Sequence, residues 1–149
     1  MRAYNLKKIA ALANKDVCHQ NFGLQRLRGN KKRCVGQIVL KPWHVNLAHT
    51  IHGGILYSAI DTVMGLAAVA HLAGSETILA MDVKINYIRP AFLKMKRLQC
   101  SAQLVSRTGR FAVVEGVVSS PKKEILAKAM GTYAILRRSP TEKASWQCY

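Results

Sequence analysis

A single carboxylate, Asp61, lies inside an otherwise apolar run from Ile55 to Leu72, and the pair Gly53-Gly54 opens that run after a polar lead-in carrying His44, His49 and His52. A carboxylate among hydrocarbon is unfavourable unless it is paired, neutralised or put to use. Two roles are open to it. As a structural group it would bond the hydroxyls of Ser58 or Thr62, which stand at helical spacing from it. As a chemical group it would act as a general base or a nucleophile. The glycines supply what either chemistry needs opposite it. The start of a helix presents free backbone N–H groups and the positive end of a dipole, and glycine lets a ligand atom come close. Such an end binds an anion or polarises a carbonyl oxygen on which charge develops.

Spacing limits how these parts can cooperate. Asp61 lies seven residues beyond Gly54, about 10 Å along a helix at ~1.5 Å per residue. A general base works at about 3 Å or through one water. One helix therefore cannot bring its own start and its own Asp61 to the same atom, whereas two helices packed antiparallel about a two-fold axis can. A catalytic Asp61 thus requires at least a dimer with shared sites. The three histidines match no zinc spacing, and no Cys or carboxylate accompanies them, so no metal is expected. There is no P-loop, no G-x-G-x-x-G and no G-x-S-x-G elbow.

The run has apolar residues on every side of a 3.6-residue wheel, which marks a buried helix closed by Gly74 as its C-cap. Its length would suit a bilayer, but the central Asp, the glycines and the histidines argue against a membrane span. Before it, Leu6–Ala13 reads as a short helix, residues 21–28 as a turn and short strand, and Cys34–Lys41 as a strand stopped by Pro42. After it the period changes to two. Leu79, Met81, Val83, Ile85 and Tyr87 alternate with polar or small residues in a half-buried strand, and Leu98–Leu104 alternate likewise. Thr108-Gly109 turns into Phe111–Val118, and a last strand runs from Ile125 to about Leu136. The expected architecture is α+β, an antiparallel sheet wrapped around one long helix. One domain over residues 1–136 is expected, with a basic helical lead-in at 1–22 and a C-terminal tail at 137–149.

Charge widens the picture without deciding it. The 149 residues carry 23 Lys and Arg against 7 Asp and Glu, a net +16. The excess lies along the whole chain and predicts attraction to polyanions, including a phosphate-rich ligand. Nucleic acid is not expected, because no binding module is present and aromatic residues are few. Cys18, Cys34, Cys100 and Cys148 form no C-x-x-C pair, which suits a reducing compartment. No secretory h-region stands near the start; a mitochondrial presequence stays open because the N-terminus is basic and nearly acid-free, but it is poor in Ser and carries Lys more than Arg, so a cytoplasmic location is expected.

The pattern Asn46-x5-His52-Gly53-Gly54-x6-Asp61, followed by Asp82-x4-Tyr87-x2-Pro90-Ala91, resembles the hotdog-fold acyl-coenzyme A thioesterases, and within them the PaaI-type branch. The resemblance covers residues 22–136. It implies a long central helix wrapped by an antiparallel sheet, as periodicity suggests independently, and homodimers that pair into tetramers with sites between subunits. It implies Asp61 as general base or nucleophile and Gly54, with Gly53, as donor to the thioester oxygen. Asn46 would orient the water or leaving sulfur, and His52 would contact the thioester region and hold the loop. Tyr87, Arg89 and the turn Arg107-Thr108-Gly109-Arg110 would line the coenzyme A channel. No cofactor is implied beyond the coenzyme A of the substrate. One departure stands out: relatives with Ser or Thr two residues before the Asp82 position use it to hold water, and this chain has Ala80 there. The expected activity is hydrolysis of an acyl-coenzyme A. The alternatives are an acyl-coenzyme A sensor of the same fold and a basic polyanion-binding protein.

Overall fold

A computed structural model describes residues 4–137 of the chain. Of the expected C-terminal tail at 137–149, residues 138–149 lie outside the described residues and Arg137 closes the last strand instead. The elements run α1 (Leu6–Ala13), α2 (Val17–Asn21), β1 (Leu24–Gly29), β2 (Cys34–Val39), α3 (Gly53–Val69), β3 (Glu76–Tyr87), β4 (Arg97–Arg107), β5 (Phe111–Ser119) and β6 (Ile125–Arg137). The strands form one six-stranded antiparallel sheet in the order β1-β2-β4-β5-β6-β3. The sheet curls around α3. This is the α+β hotdog arrangement.

Hydrocarbon drives α3 onto the sheet. Ala59, Ile60, Val63, Met64 and Ala68 are fully buried against Ile38, Leu98, Val114 and Val118. Each large side chain so buried contributes roughly 1.5–3 kcal/mol, which easily outweighs the helix's indifferent propensities. The approach is close enough to require glycine below it: a Cβ on Gly116 would lie 2.8 Å from Ile60 Cγ1, and one on Gly131 would lie 2.9 Å from Met64 Cε. Among the described residues no helix is long and apolar enough to cross a membrane.

Two expectations need correction. The helix stops at Val69, not at a Gly74 cap. His71 N–H donates to Ala68 O and Leu72 N–H to Val69 O, tightening the last turn, and Ala73 N–H then donates to the Glu76 carboxylate at 2.7 Å. Gly74 belongs to the turn that follows. The alternation of β3 is also broken. A bulge between Ala80 and Asp82 inserts Met81 as an extra residue, so Ile78, Val83 and Ile85 are the half-buried apolar residues of the strand while Leu79, Ala80 and Met81 are all exposed. The strand pairs with β6 rather than with β4, its neighbour in sequence, and forms an edge of the sheet. The short helix α2 was not expected at all. Asp16 caps it by accepting from His19 N–H at 3.1 Å, and five residues are too few to show a period.

Candidate functional site

The N-terminus of α3 is built by a tight loop. Asn46 Oδ1 accepts from Ala48 N–H, Thr50 N–H and the Thr50 hydroxyl at 3.0–3.2 Å, and Asn46 N–H donates to Thr50 O. The Asn46 amide NH2 keeps no protein acceptor among the described residues. His52 then caps α3, its Nδ1 accepting from Gly54 N–H at 2.9 Å. Gly54 N–H is therefore engaged within its own chain. Gly53 N–H has no acceptor among the described residues. Gly53 also meets Tyr87, whose hydroxyl donates to Gly53 O at 3.0 Å; a Cβ on Gly53 would lie 2.9 Å from the Tyr87 ring. Asn46, Thr50, Gly53, Tyr87 and Arg89 line one cavity of about 340 Å³. The Arg89 guanidinium is anchored there by donation to Ile125 O at 2.9 Å.

Asp61 is elsewhere. It is half-buried in a second cavity, of about 280 Å³, bounded by α1, α3, the first half of β3 and Tyr133. The Tyr133 hydroxyl donates to Asp61 Oδ1 at 3.2 Å. The expected structural bonds from Ser58 and Thr62 are not made, because the Thr62 hydroxyl donates to Ser58 O at 3.0 Å instead. Burial pushes the Asp61 carboxyl above its ordinary value, and the Tyr133 hydrogen bond partly offsets this. Tyr133 is itself raised, first by burial and then by the Asp61 charge. A carboxylate with elevated proton affinity and one oxygen held by a hydroxyl suits proton transfer to and from water.

The single chain thus holds the two halves of the expected site apart, along α3 and along β3. Ile78 and Ala80 border the Asp61 cavity and Tyr87 borders the Gly53 cavity. The remaining expected residues lie beyond the Asp61 end. Arg107 pairs with Glu76 at 2.7 Å at the start of β3, and Thr108 Oγ1 accepts from Arg110 N–H and Phe111 N–H to close the turn around Gly109. Glu76 and Tyr87 end a 12-residue strand, so this turn and Tyr87 stand at opposite ends of it, about 36 Å apart along the strand at ~3.3 Å per residue.

The histidines fall to structural duties. His44 is buried, its Nε2 bonded to Asn21 O at 3.0 Å and its Nδ1 accepting from Lys41 N–H. His49 is exposed at positive φ. Among the described residues no group of three or more His, Cys, Asp or Glu side chains could hold a metal ion. Tyr133 is the site residue that sequence reasoning missed. Its signal was an aromatic hydroxyl on the inward face of an alternating strand, which must find a buried partner.

Comparison with known proteins adds a family to this geometry. Residues 48–127 match the model of the thioesterase superfamily. An Archaeoglobus fulgidus protein carrying the name "Putative esterase" is 30% identical over 96 residues, 64% of this chain; the chain spans 60% of that protein's length. The Escherichia coli PaaI protein of the phenylacetic acid degradation operon superposes with a TM-score of 0.76 at 18% identity, covering 89% of this chain and 94% of that one. A Bacillus halodurans protein whose structure was solved with coenzyme A superposes with a TM-score of 0.65 at 25% identity, over 68% of this chain and 66% of that one.

Proposed function

This chain belongs to the thioesterase superfamily, and from that premise we propose that it hydrolyses an acyl-coenzyme A thioester to a free acid and coenzyme A. The observation that carries the reading is Asp61: a half-buried carboxylate of raised proton affinity, held by Tyr133, facing a mostly apolar cavity. The relative solved with coenzyme A supports the choice of thioester, and the net charge of +16 suits its phosphates.

The site forms between two protomers. β3 is an edge strand with one side unpaired and with Leu79 and Met81 exposed along it. Antiparallel pairing of two such edges about a two-fold near Met81 lays the Tyr87 end of one protomer beside the Glu76 end of the other. That pairing brings Asp61 toward the partner's Gly53 tip, and the Arg107–Arg110 turn toward the partner's Tyr87 and Arg89 cavity. Tyr87, Arg89, Arg107 and Arg110 then follow the nucleotide part of coenzyme A, with Thr108 and Gly109 shaping the turn.

In the reaction Asp61 takes a proton from water as the oxygen adds to the thioester carbonyl. Negative charge develops on the carbonyl oxygen at the Gly53 N–H, joined by Gly54 N–H once the exposed His52 ring turns away. Asn46 donates its free amide to the water or the sulfur. The tetrahedral intermediate then expels the thiolate, which receives the proton from Asp61. Direct attack by Asp61 through a mixed anhydride uses the same parts, and label found in the carboxylate of Asp61 after one turnover in ¹⁸O-labelled water would identify that route, with water opening the anhydride at the Asp61 carbonyl. Ala80 contributes no hydroxyl, and Tyr133 is the hydroxyl that orients the carboxylate.

Purified protein given a series of acyl-coenzyme A substrates and a thiol reagent is expected to release free thiol. Binding without release at any chain length would identify a sensor instead. Tyr133→Phe gives a further expected result. The hydrogen bond it removes lowers the Asp61 pKa, so the acid limb of the kcat/KM profile moves to higher pH in the variant. An unmoved limb would separate Asp61 from the titration.

A further inference from the structure

Gly65 sits in the interior of α3, where glycine costs about 1 kcal/mol relative to alanine. Its φ is not positive, and an added Cβ would meet no atom within 4 Å. Neither backbone conformation nor packing inside the protomer calls for glycine there, in contrast to Gly116 and Gly131 beneath the same helix. The space it leaves open belongs to the cavity of about 280 Å³ that also holds Asp61.

The far wall of that cavity is the N-terminal segment, through Ile9 and Ala13 of α1 and Leu27 of β1. The wall is pinned at both ends. The Tyr4 hydroxyl donates to Glu76 O, and the Asn14 side chain accepts from Leu27 N–H at 2.8 Å while donating to Leu27 O at 3.1 Å. The hydroxyls around the cavity are already engaged, Thr62 on Ser58 O and Tyr133 on Asp61. What remains is a mostly apolar chamber lined also by the Asp61 carboxylate and by the His19 ring, whose Nδ1 is bonded to Ala13 O at 2.8 Å. A dry cavity of about 150 Å³ suffices for benzene, so this one has room for a ring with a substituent or for a medium-length chain.

We propose that this chamber receives the acyl group of the substrate, with Gly65 and the α1 wall setting its upper size. The substrate class is therefore a compact apolar acyl-coenzyme A, carrying one aromatic ring or a medium-length chain, and not a long fatty acyl. The proposal rests on the reading of Asp61 as the reacting carboxylate.

The test compares kcat/KM of the full chain and of Gly65→Ala, Gly65→Leu and Ile9→Ala for acetyl-, benzoyl-, decanoyl- and palmitoyl-coenzyme A, together with the oligomeric state of each. In Gly65→Leu the decanoyl-to-acetyl and benzoyl-to-acetyl ratios should fall at least about tenfold, with Gly65→Ala between it and the wild type. Ile9→Ala should raise the palmitoyl-to-acetyl ratio. Ratios that stay constant while all rates fall, or that never change, overturn the proposal; loss of the dimer with constant ratios would make the gap at Gly65 a contact between copies. Should the wild type cleave none of these substrates, the hydrolase reading fails separately. Binding of the non-hydrolysable decanoyl-coenzyme A thioether then decides the chamber: affinity lowered at least about tenfold in Gly65→Leu supports it, and equal affinity overturns it.

Discussion

In Asp61→Asn, turnover of acyl-coenzyme A is expected to fall by about 10²–10⁴-fold, the range that a positioned general base contributes. The fold should survive. Asn is nearly isosteric with Asp, and its Oδ1 can still accept from Tyr133, so the 3.2 Å hydrogen bond is retained. The variant should also be more stable at neutral pH. Burial holds the Asp61 pKa above 3.8, so the folded state binds this proton more tightly than the unfolded chain does. Stability from this group is then fullest below pH 3.8 and declines as pH rises to the folded-state pKa, because the ionised carboxylate is poorly solvated. Asn has no such titration. The unfolding temperature of the variant minus that of the wild type should therefore grow with pH across that window and then level off. Full turnover in the variant would remove Asp61 from the mechanism, and a flat difference would remove the burial cost assigned to it.

Gly53→Ala should be the second most damaging change, with kcat/KM down by about 10²–10³-fold, as expected when an oxyanion donor is blocked. The new methyl would stand 2.9–3.2 Å from the outer end of the Tyr87 ring. That ring is 54% exposed and can swing aside, so the fold pays little, and alanine favours the helix. The loss is instead at the site, where the methyl crowds the approach to Gly53 N–H and the displaced Tyr87 leaves its cavity. Kinetics and thermal unfolding measured together check this: activity lost with an unchanged unfolding temperature is the expected pair. Wild-type kinetics would mean that no substrate atom comes to Gly53.

Much of this was legible from local chemistry, and what was not has a physical reason. The all-round apolar wheel of α3 marks a buried helix because only a sheet curled around it can cover every side. The start at Gly53 was legible for the same local reasons that govern any helix tip. Its end was not, since the turn is closed by the Glu76 carboxylate reaching Ala73 N–H rather than by glycine at 74. The bulge at Met81 was hidden for a similar reason, as an extra residue in β3 becomes visible only against its partner β6. The partner of Asp61 was sought among its helical neighbours, but Tyr133 lies 72 positions away. His52 was assigned to the substrate, and the structure gives its Nδ1 to Gly54 N–H first. The resemblance begins at residue 22 and so gives the basic lead-in no role, whereas in the fold its helix α1 forms a wall of the Asp61 cavity.

The claim on which the rest depends is that each site takes its carboxylate from one protomer and its helix tip from the other. Subunit exchange between Asp61→Asn and Gly53→Ala proteins, each nearly inactive alone, tests it directly. A shared site predicts that the equilibrated one-to-one mixture recovers about a quarter of wild-type turnover, since half the dimers are mixed and each mixed dimer has one intact site. A mixture that exchanges subunits and stays inactive would place the whole site within one protomer and contradict the account.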